Sequence, residues 1–353
     1  MNPSFWKGRR VLLTGHTGFK GAWLMIWLNN LGASVRGFAL PPPTEPSLYE
    51  LAKLNHLCDS VIGDIRDPTA VRNAMTDFQP DIVIHMAAQS LVRPSYANPV
   101  ETYATNVMGS VHVFEAARCF RSIKAIVNVT SDKVYENREW LWGYRECDAF
   151  GGHDPYSSSK AAAEIVAGAY GRSFFHEDGG PTLVSARAGN VIGGGDWATD
   201  RLLPDILRAF VAGEDVLIRQ PNSVRPWQHV LEPLSGYLLL AEKAVEKGQS
   251  VAGGWNFGPL PEAVQMVRTV ADRAAALWGQ GRSWKDCSDP DALHEAKLLQ
   301  LDSTKARVHL GWKSRWTFDE ALSATVDWYR KLNQGADVRS LCESQIDAYA
   351  RLL

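Results

Sequence analysis

Short unbroken apolar runs alternate with longer helical patterns through the first half of the chain. Val11-Leu12-Leu13, Val35 within Ser34-Val35-Arg36-Gly37-Phe38-Ala39-Leu40, Ile82-Val83-Ile84 and Ala125-Ile126-Val127-Asn128-Val129 are such runs. Runs this short and rich in β-branched residues read as strands buried on both faces, the pattern of a parallel sheet covered by helices. Between the first two, Trp23-Leu24-Met25-Ile26-Trp27-Leu28 has no polar side and predicts a buried crossover helix. The alternation runs to about residue 190 and implies a right-handed, doubly wound α/β sheet. Gly254-Trp255-Asn256-Phe257-Gly258-Pro259 reads as a last sheet strand, so the chain is expected to return to the sheet and leave it again. The C-terminal part is mixed and mainly helical. There Thr317-Phe318-Asp319-Glu320 is a capping box opening an amphipathic helix through Trp328-Tyr329. At 353 residues the chain exceeds one small core. The expected division is 1–190, with return segments near 226–260, for the sheet half, and 191–225 plus 261–353 for a smaller substrate lobe. The thirteen tryptophans are expected to pack mostly in that lobe.

The first strand runs into Thr14-Gly15-His16-Thr17-Gly18-Phe19-Lys20-Gly21. A strand entering glycines and then a helix leaves backbone N–H groups and a helix N-terminus aimed at one spot, where a pyrophosphate fits. Gly15 allows the tight turn, Gly18 the approach of phosphates, and Gly21 the packing of helix on strand; Thr17, Phe19 and Lys20 complete the cradle. The fold class is therefore Rossmann-type, with a dinucleotide cofactor. Ala39 stands where an acidic residue usually binds the adenosine ribose, and Pro41-Pro42-Pro43-Thr44 offers no base for a 2′-phosphate. This points to NAD, held with one ribose contact fewer and with modest affinity. Ala87, Ala88 and Gln89 end a buried strand, and the small residues leave room for a flat cofactor.

Tyr156 and Lys160 stand four residues apart and share one face of a helix. A tyrosine titrating near 10 is a poor base at neutral pH, but a nearby ammonium favours the phenolate. The phenolate then takes a hydroxyl proton while a hydride leaves the same carbon. Ser131 ends a strand and would bond the same substrate oxygen. Taken with the glycine cradle, Tyr156-Ser157-Ser158-Ser159-Lys160 implies hydride transfer. Asp132 and Lys133 follow Ser131 directly. Plain alcohol oxidation needs neither. Breaking a C–O bond needs an acid for the departing hydroxyl, here Asp132, and a base for the neighbouring carbon acid, here Lys133.

The GxxGxxG spacing with YxxxK resembles the extended short-chain dehydrogenase/reductase superfamily. Thr130-Ser131-Asp132-Lys133-Val134-Tyr135-Glu136-Asn137-Arg138-Glu139-Trp140 resembles the sugar-nucleotide 4,6-dehydratases within it. Relatives acting on dTDP- or GDP-sugars carry Asp-Glu where this chain has Asp132-Lys133. The Asp-Lys form resembles the CDP-glucose 4,6-dehydratases, as do Trp142-Gly143-Tyr144-Arg145-Glu146 and Gly193-Gly194-Gly195-Asp196-Trp197. The resemblance covers nearly the whole chain. It implies that CDP-D-glucose is the substrate, that Asp64 and Ile65 border the adenine, that Asn106 is the superfamily's helix asparagine, and that Asn190 binds the substrate. Arg201 and Arg225 suit a diphosphate, since a guanidinium pairs with it in bidentate fashion. His229 is carried as a substrate ligand, although packing accounts for it more readily. Members often form dimers through two helices, here about 100–118 and 156–172, so a homodimer or homotetramer is expected.

With 37 Lys+Arg against 39 Asp+Glu, the near-neutral charge gives no support to nucleic-acid or membrane-surface binding. The start Met1-Asn2-Pro3-Ser4-Phe5-Trp6-Lys7 has no apolar leader core, and the five cysteines are scattered without disulfide or metal-ligand spacing. A cytoplasmic enzyme without a metal is expected. A 4-epimerase shares the cradle and Tyr156/Lys160 but has no use for Asp132-Lys133. A dehydratase for another nucleotide is the closer alternative. A catalytically dead NAD sensor would commonly have lost the tyrosine or the lysine.

Overall fold

The computed structural model describes residues 1–176, 179–288 and 298–353. Residues 289–297 of the expected substrate lobe lie outside the described residues.

Six strands build the first part of the sheet: β1 (Arg10–Thr14), β2 (Ser34–Ala39), β3 (Asp59–Ile62), β4 (Ile82–His85), β5 (Ala125–Val129) and β6 (Thr182–Ala188). The seventh, β7 (Gly253–Phe257), is the expected late return and pairs with β6. The order is β7-β6-β5-β4-β1-β2-β3, with all neighbours parallel. Strands β4, β5 and β6 are buried along their whole length, as their continuous apolar sequences require. The order reverses between β1 and β4, and ligands of such sheets bind at the carboxyl ends beside that switch.

Helix α1 (Phe19–Asn30) follows β1 and is buried from Gly21 to Leu28. Its burial explains the missing polar side. One flank meets the sheet and the other meets the C-terminal helices. Trp27 packs edge-on against Tyr349, and Trp23 against His229. The tryptophans thus concentrate at a seam shared by both halves, rather than in the smaller lobe alone. Helix α2 (Pro68–Thr76) is capped by Asp67, and α3 (Gly109–Arg118) follows a π-helical turn at Ala104–Met108. The expected continuous helix over 100–118 is therefore interrupted, and Asn106 sits in the interruption. Helix α4 (Pro155–Phe174) carries the YxxxK motif, and Asp154 caps it. Helices α5 (Leu202–Ala212), α6 (Leu231–Lys247), α7 (Val267–Trp278), α8 (Phe318–Asn333) and α9 (Val338–Ala350) complete the chain. The predicted capping box opens α8, with Thr317 and Glu320 exchanging hydrogen bonds.

Candidate active site

The cleft opens at the carboxyl ends of the strands. Gly15 adopts φ +78, and a Cβ there would stand 2.8 Å from the Ala87 nitrogen. At Gly21 a Cβ would reach 2.1 Å from the Gly15 carbonyl oxygen, so helix and turn touch backbone to backbone. Gly18 caps α1 without a side-chain bond, which leaves the first-turn N–H groups of α1 for a ligand. Thr17, Phe19, Lys20, Ile65, Ala87, Ala88 and Gln89 line the same cleft. Asp64 lines it too, with its carboxylate held below the usual range by hydrogen bonds from Arg66. Ala39 closes the end of β2 with no charge of its own. This donor set fits a dinucleotide pyrophosphate. Asn106 is fully buried behind the lining, where it accepts from the Gln89 N–H and donates to the Gln89 carbonyl and the Ser159 hydroxyl.

The redox residues meet at the end of β5. Ser131 donates to Asp132 Oδ1 at 3.0 Å and neighbours the Tyr156 phenol, whose charged form it favours. Lys133 Nζ lies 3.6 Å from Asp132 Oδ1, and the Asp132 side chain is 3% exposed. Gly189 makes room for that carboxylate, since a Cβ there would stand 2.9 Å from Asp132 Oδ2. Burial raises the Tyr156 phenol. The Lys133 charge is the largest opposing influence, followed by the Ser131 bond and Arg201, while Asp132 adds to the rise. Lys160 Nζ donates to the Val129 carbonyl at 3.2 Å, and burial pulls its ammonium down to about 8. The largest charge favouring the Tyr156 phenolate is that of Lys133, carried on the turn at Asp132–Val134.

Asn190, Arg201 and Arg225 line the far wall of the same cleft. Arg201 pairs with Asp196 at 2.9 Å and keeps about a third of its side chain exposed. His229 is different. It lies in the core, outside the cleft lining, with its ring packed against Trp23 and Trp316 and its Nδ1 accepting from the Leu231 N–H. Burial lowers it to about 3, so it is neutral. Its assignment as a substrate ligand is therefore corrected. The short strand at Gln228–His229 pairs with Val191–Ile192, and that pairing turns the ring inward.

The family model for GDP-mannose 4,6-dehydratase matches residues 12–325. The chain belongs to the GDP-mannose 4,6-dehydratase family. It is 52% identical to a CDP-glucose 4,6-dehydratase of Salmonella typhimurium, over 99% of this chain and 98% of that protein. It is 27% identical to a dTDP-glucose 4,6-dehydratase of Xanthomonas campestris, over 90% and 92% respectively. The fold is that of a dTDP-glucose 4,6-dehydratase from Bacillus anthracis solved with NAD, at TM-score 0.78, 22% identity, and coverage of 93% of this chain and 98% of that one. A UDP-glucose 4-epimerase of Thermus thermophilus solved with NAD shares it at TM-score 0.76 and 24% identity, over 91% and 99%.

Several residues of this dehydratase-family cleft escape sequence reasoning. Lys20 was expected in the cradle, but its bond to the Tyr237 hydroxyl, to which it donates at 2.9 Å, was not. Burial, then the Arg201 and Lys160 charges, lower it to about 7, while Asp132 raises it. Arg93, Arg138 and Arg219 join Arg201 and Arg225 along the cleft. Arg93 and Arg219 share Asp200, at 3.5 and 2.8 Å. They come from three distant segments, and no local spacing connects them. The available signal was an arginine beside proline at Arg93-Pro94, as at Arg225-Pro226.

Proposed function

We propose that this chain is a hydro-lyase that converts CDP-D-glucose to CDP-4-dehydro-6-deoxy-D-glucose and water, with NAD as cofactor and no net redox change. The carrying observation is that Asp132 and Lys133 stand with Ser131 and Tyr156 in one corner of the cleft. The chain's 52% identity to a CDP-glucose 4,6-dehydratase supports the choice of nucleotide.

NAD, when bound, accepts the hydride from C4 of the sugar and later returns it to C6. The Tyr156 phenolate takes the 4-hydroxyl proton, and the resulting ketone acidifies the C5 hydrogen. Asp132 and Lys133 form an ion pair at 3.6 Å, and the elimination uses the form of that pair in which the proton has passed to the carboxylate. With that proton on Asp132, the free Lys133 amine takes the C5 proton while Asp132 protonates the 6-hydroxyl, which leaves as water. Lys133 then returns its proton to C5 as the C5–C6 double bond is reduced. Tyr156 now holds the 4-hydroxyl proton and Asp132 lacks one. Ser131, which donates to Asp132 and neighbours Tyr156, relays it across and restores the starting state. The cradle glycines and Gln89 orient the cofactor. Arg201, Arg225 and Asn190 hold the nucleotide sugar between the sheet half and the lobe of 191–225 and 261–353.

We read the enzyme as cytoplasmic and as serving dideoxysugar synthesis for the O-antigen of lipopolysaccharide. No helix among the described residues is long and apolar enough to cross a membrane. Val100, Met108 and Ile165 are exposed on the two expected pairing segments, which supports a homo-oligomer built through them. The decisive test is incubation with CDP-glucose and NAD followed by mass spectrometry. The expected product has lost one water with no build-up of reduced cofactor. An unchanged mass would turn the reading toward a 4-epimerase or another nucleotide, with dTDP- and GDP-sugars assayed next.

A further inference from the structure

Directly beneath the redox corner lies a charged cluster that the proposed chemistry does not use. Glu164 stands one helical turn beyond Lys160 on α4, and both it and Arg187 of β6 are almost fully buried. Arg187 grips Glu164 in bidentate fashion, Nε to Oε1 at 2.8 Å and Nη2 to Oε2 at 3.0 Å. The Thr130 hydroxyl donates to Glu164 Oε1 at 2.5 Å. The third guanidinium nitrogen donates to the Tyr135 hydroxyl at 2.7 Å, and that hydroxyl donates to Asn256 of β7 at 2.8 Å. The partners are telling. Thr130 immediately precedes Ser131, Tyr135 closes the turn that carries Asp132 and Lys133, and Glu164 shares its helix with Tyr156 and Lys160. One buried pair therefore touches every segment that presents a redox residue.

A buried ion pair is weak evidence for stability, because desolvation offsets its attraction and apolar residues of like volume often do better. Its retention here, at the junction of these segments, calls for another account. We propose that Glu164 is a positioning residue of the redox centre: clamped by Arg187 and Thr130, it docks α4 on the end of β5 and supplies the buried counter-charge for Lys160. The proposal rests on reading Lys160 as part of that centre. Around Lys160, Glu164 is the negative group. Lys20 from α1 is a positive neighbour, His85 from β4 is held neutral by burial, and the Val129 carbonyl takes the ammonium hydrogen bond. Burial drives Lys160 toward its free amine, and the Glu164 charge opposes it.

Glu164→Gln keeps the shape and an acceptor for Arg187 but removes the charge. We expect kcat to fall roughly ten-fold or more, with KM within about two-fold, as for loss of a transition-state orientation rather than of substrate binding. The alkaline limb of the kcat profile is expected at lower pH than in the parent enzyme. A purely structural role would lower thermal stability and leave that limb in place, and this result overturns the proposal. A second readout needs no cofactor. In lysine-labelled protein, the Lys160 NMR resonance, assigned through Lys160→Arg, is expected to titrate at lower pH in Glu164→Gln, and an unmoved titration overturns the proposal even if the parent proves to act on another sugar nucleotide. Should Glu164→Gln not fold, Glu164→Asp carries the test. Its carboxylate is withdrawn by one methylene, so kcat is expected to drop at unchanged KM, and a parental kcat refutes the positioning role.

Discussion

At the residue scale, Lys133 is where the proposed dehydration departs from a plain oxidation. It contributes in two ways: its charge is the largest influence opposing burial at Tyr156, and its amine faces Asp132. Lys133→Met keeps the bulk and removes both. C4 oxidation is expected to proceed, more slowly, while elimination stalls, so reduced cofactor should accumulate to a fraction of the enzyme and the dehydrated product should fall by about 10²-fold or more. Absorbance at the reduced-nicotinamide band, read beside product mass, checks this; turnover at the parent rate would remove Lys133 from the mechanism. The sequence made this residue visible because it sits in an unbroken run, Ser131-Asp132-Lys133, whose members must share a site. It did not reveal Lys20, Glu164 or Arg187 as members of the centre. Lys20 read as one position of a glycine cradle, and its side-chain direction is set by Tyr237, 217 residues away. Glu164 and Arg187 meet only when α4 docks on β6. Conversely, His229 was carried as a ligand beside Arg225 although packing accounted for it more readily, and its contacts with α1 and the C-terminal segment enclose its ring.

At the element scale, the strands and α1 were legible because burial on both sides leaves a continuous apolar signature. The break in the helix over 100–118 was not, because a π turn costs little in sequence pattern and is fixed by what Asn106 binds. The attachment of α9 was equally hidden. It depends on Glu232, fully buried in the first turn of α6. The Glu232 carboxylate accepts the Arg315 and Trp316 N–H groups and the Tyr349 hydroxyl, at 2.7 to 3.0 Å. One side chain thereby ties α6 to the strand-like segment before α8 and to α9. Glu232→Ala strands three buried donors at once and is expected to destabilise by about 3–5 kcal/mol. Tyr349→Phe removes a single donor and is expected to cost about 1 kcal/mol. Denaturant melts of the two variants should separate by that margin. Equal small losses would mean that water replaces the carboxylate and that α9 is held by its apolar face alone.

At the scale of the whole molecule, three buried histidines couple stability to pH in the same direction. His16 beside the cradle is lowered by burial to about 4, and His85 in the sheet and His229 at the seam to about 3. Each folded value lies below the unfolded 6.5, so between the two the unfolded chain binds protons that the folded chain refuses. Stability contributed by the neutral rings is intact above pH 6.5 and is lost as pH falls toward 4 and 3. At pH 5 the loss is about 1–2 kcal/mol per histidine, an upper bound because each ring can shift locally. Lys20 and Lys160 act with the same sign higher up. Burial lowers them to about 7 and 8 from 10.5, so stability also declines as pH falls from 10.5 through those values and is flat below them. These groups sit in different layers. His85 bridges Thr14 of β1 and Ser110 of α3, His16 bonds Ser60 beyond β2, and His229 packs between Trp23 and Trp316. Acid therefore loosens sheet, cradle and seam together instead of peeling away one lobe. Thermal melts at constant ionic strength are expected to show Tm rising from pH 5 to pH 8 in a single transition. His229→Phe keeps the ring stack and deletes one titration, so its Tm should fall less between pH 6.5 and pH 5 than the parent's. A parent Tm at pH 5 equal to that at pH 7 would mean that these rings take up protons in the folded state and that the interior admits water around them.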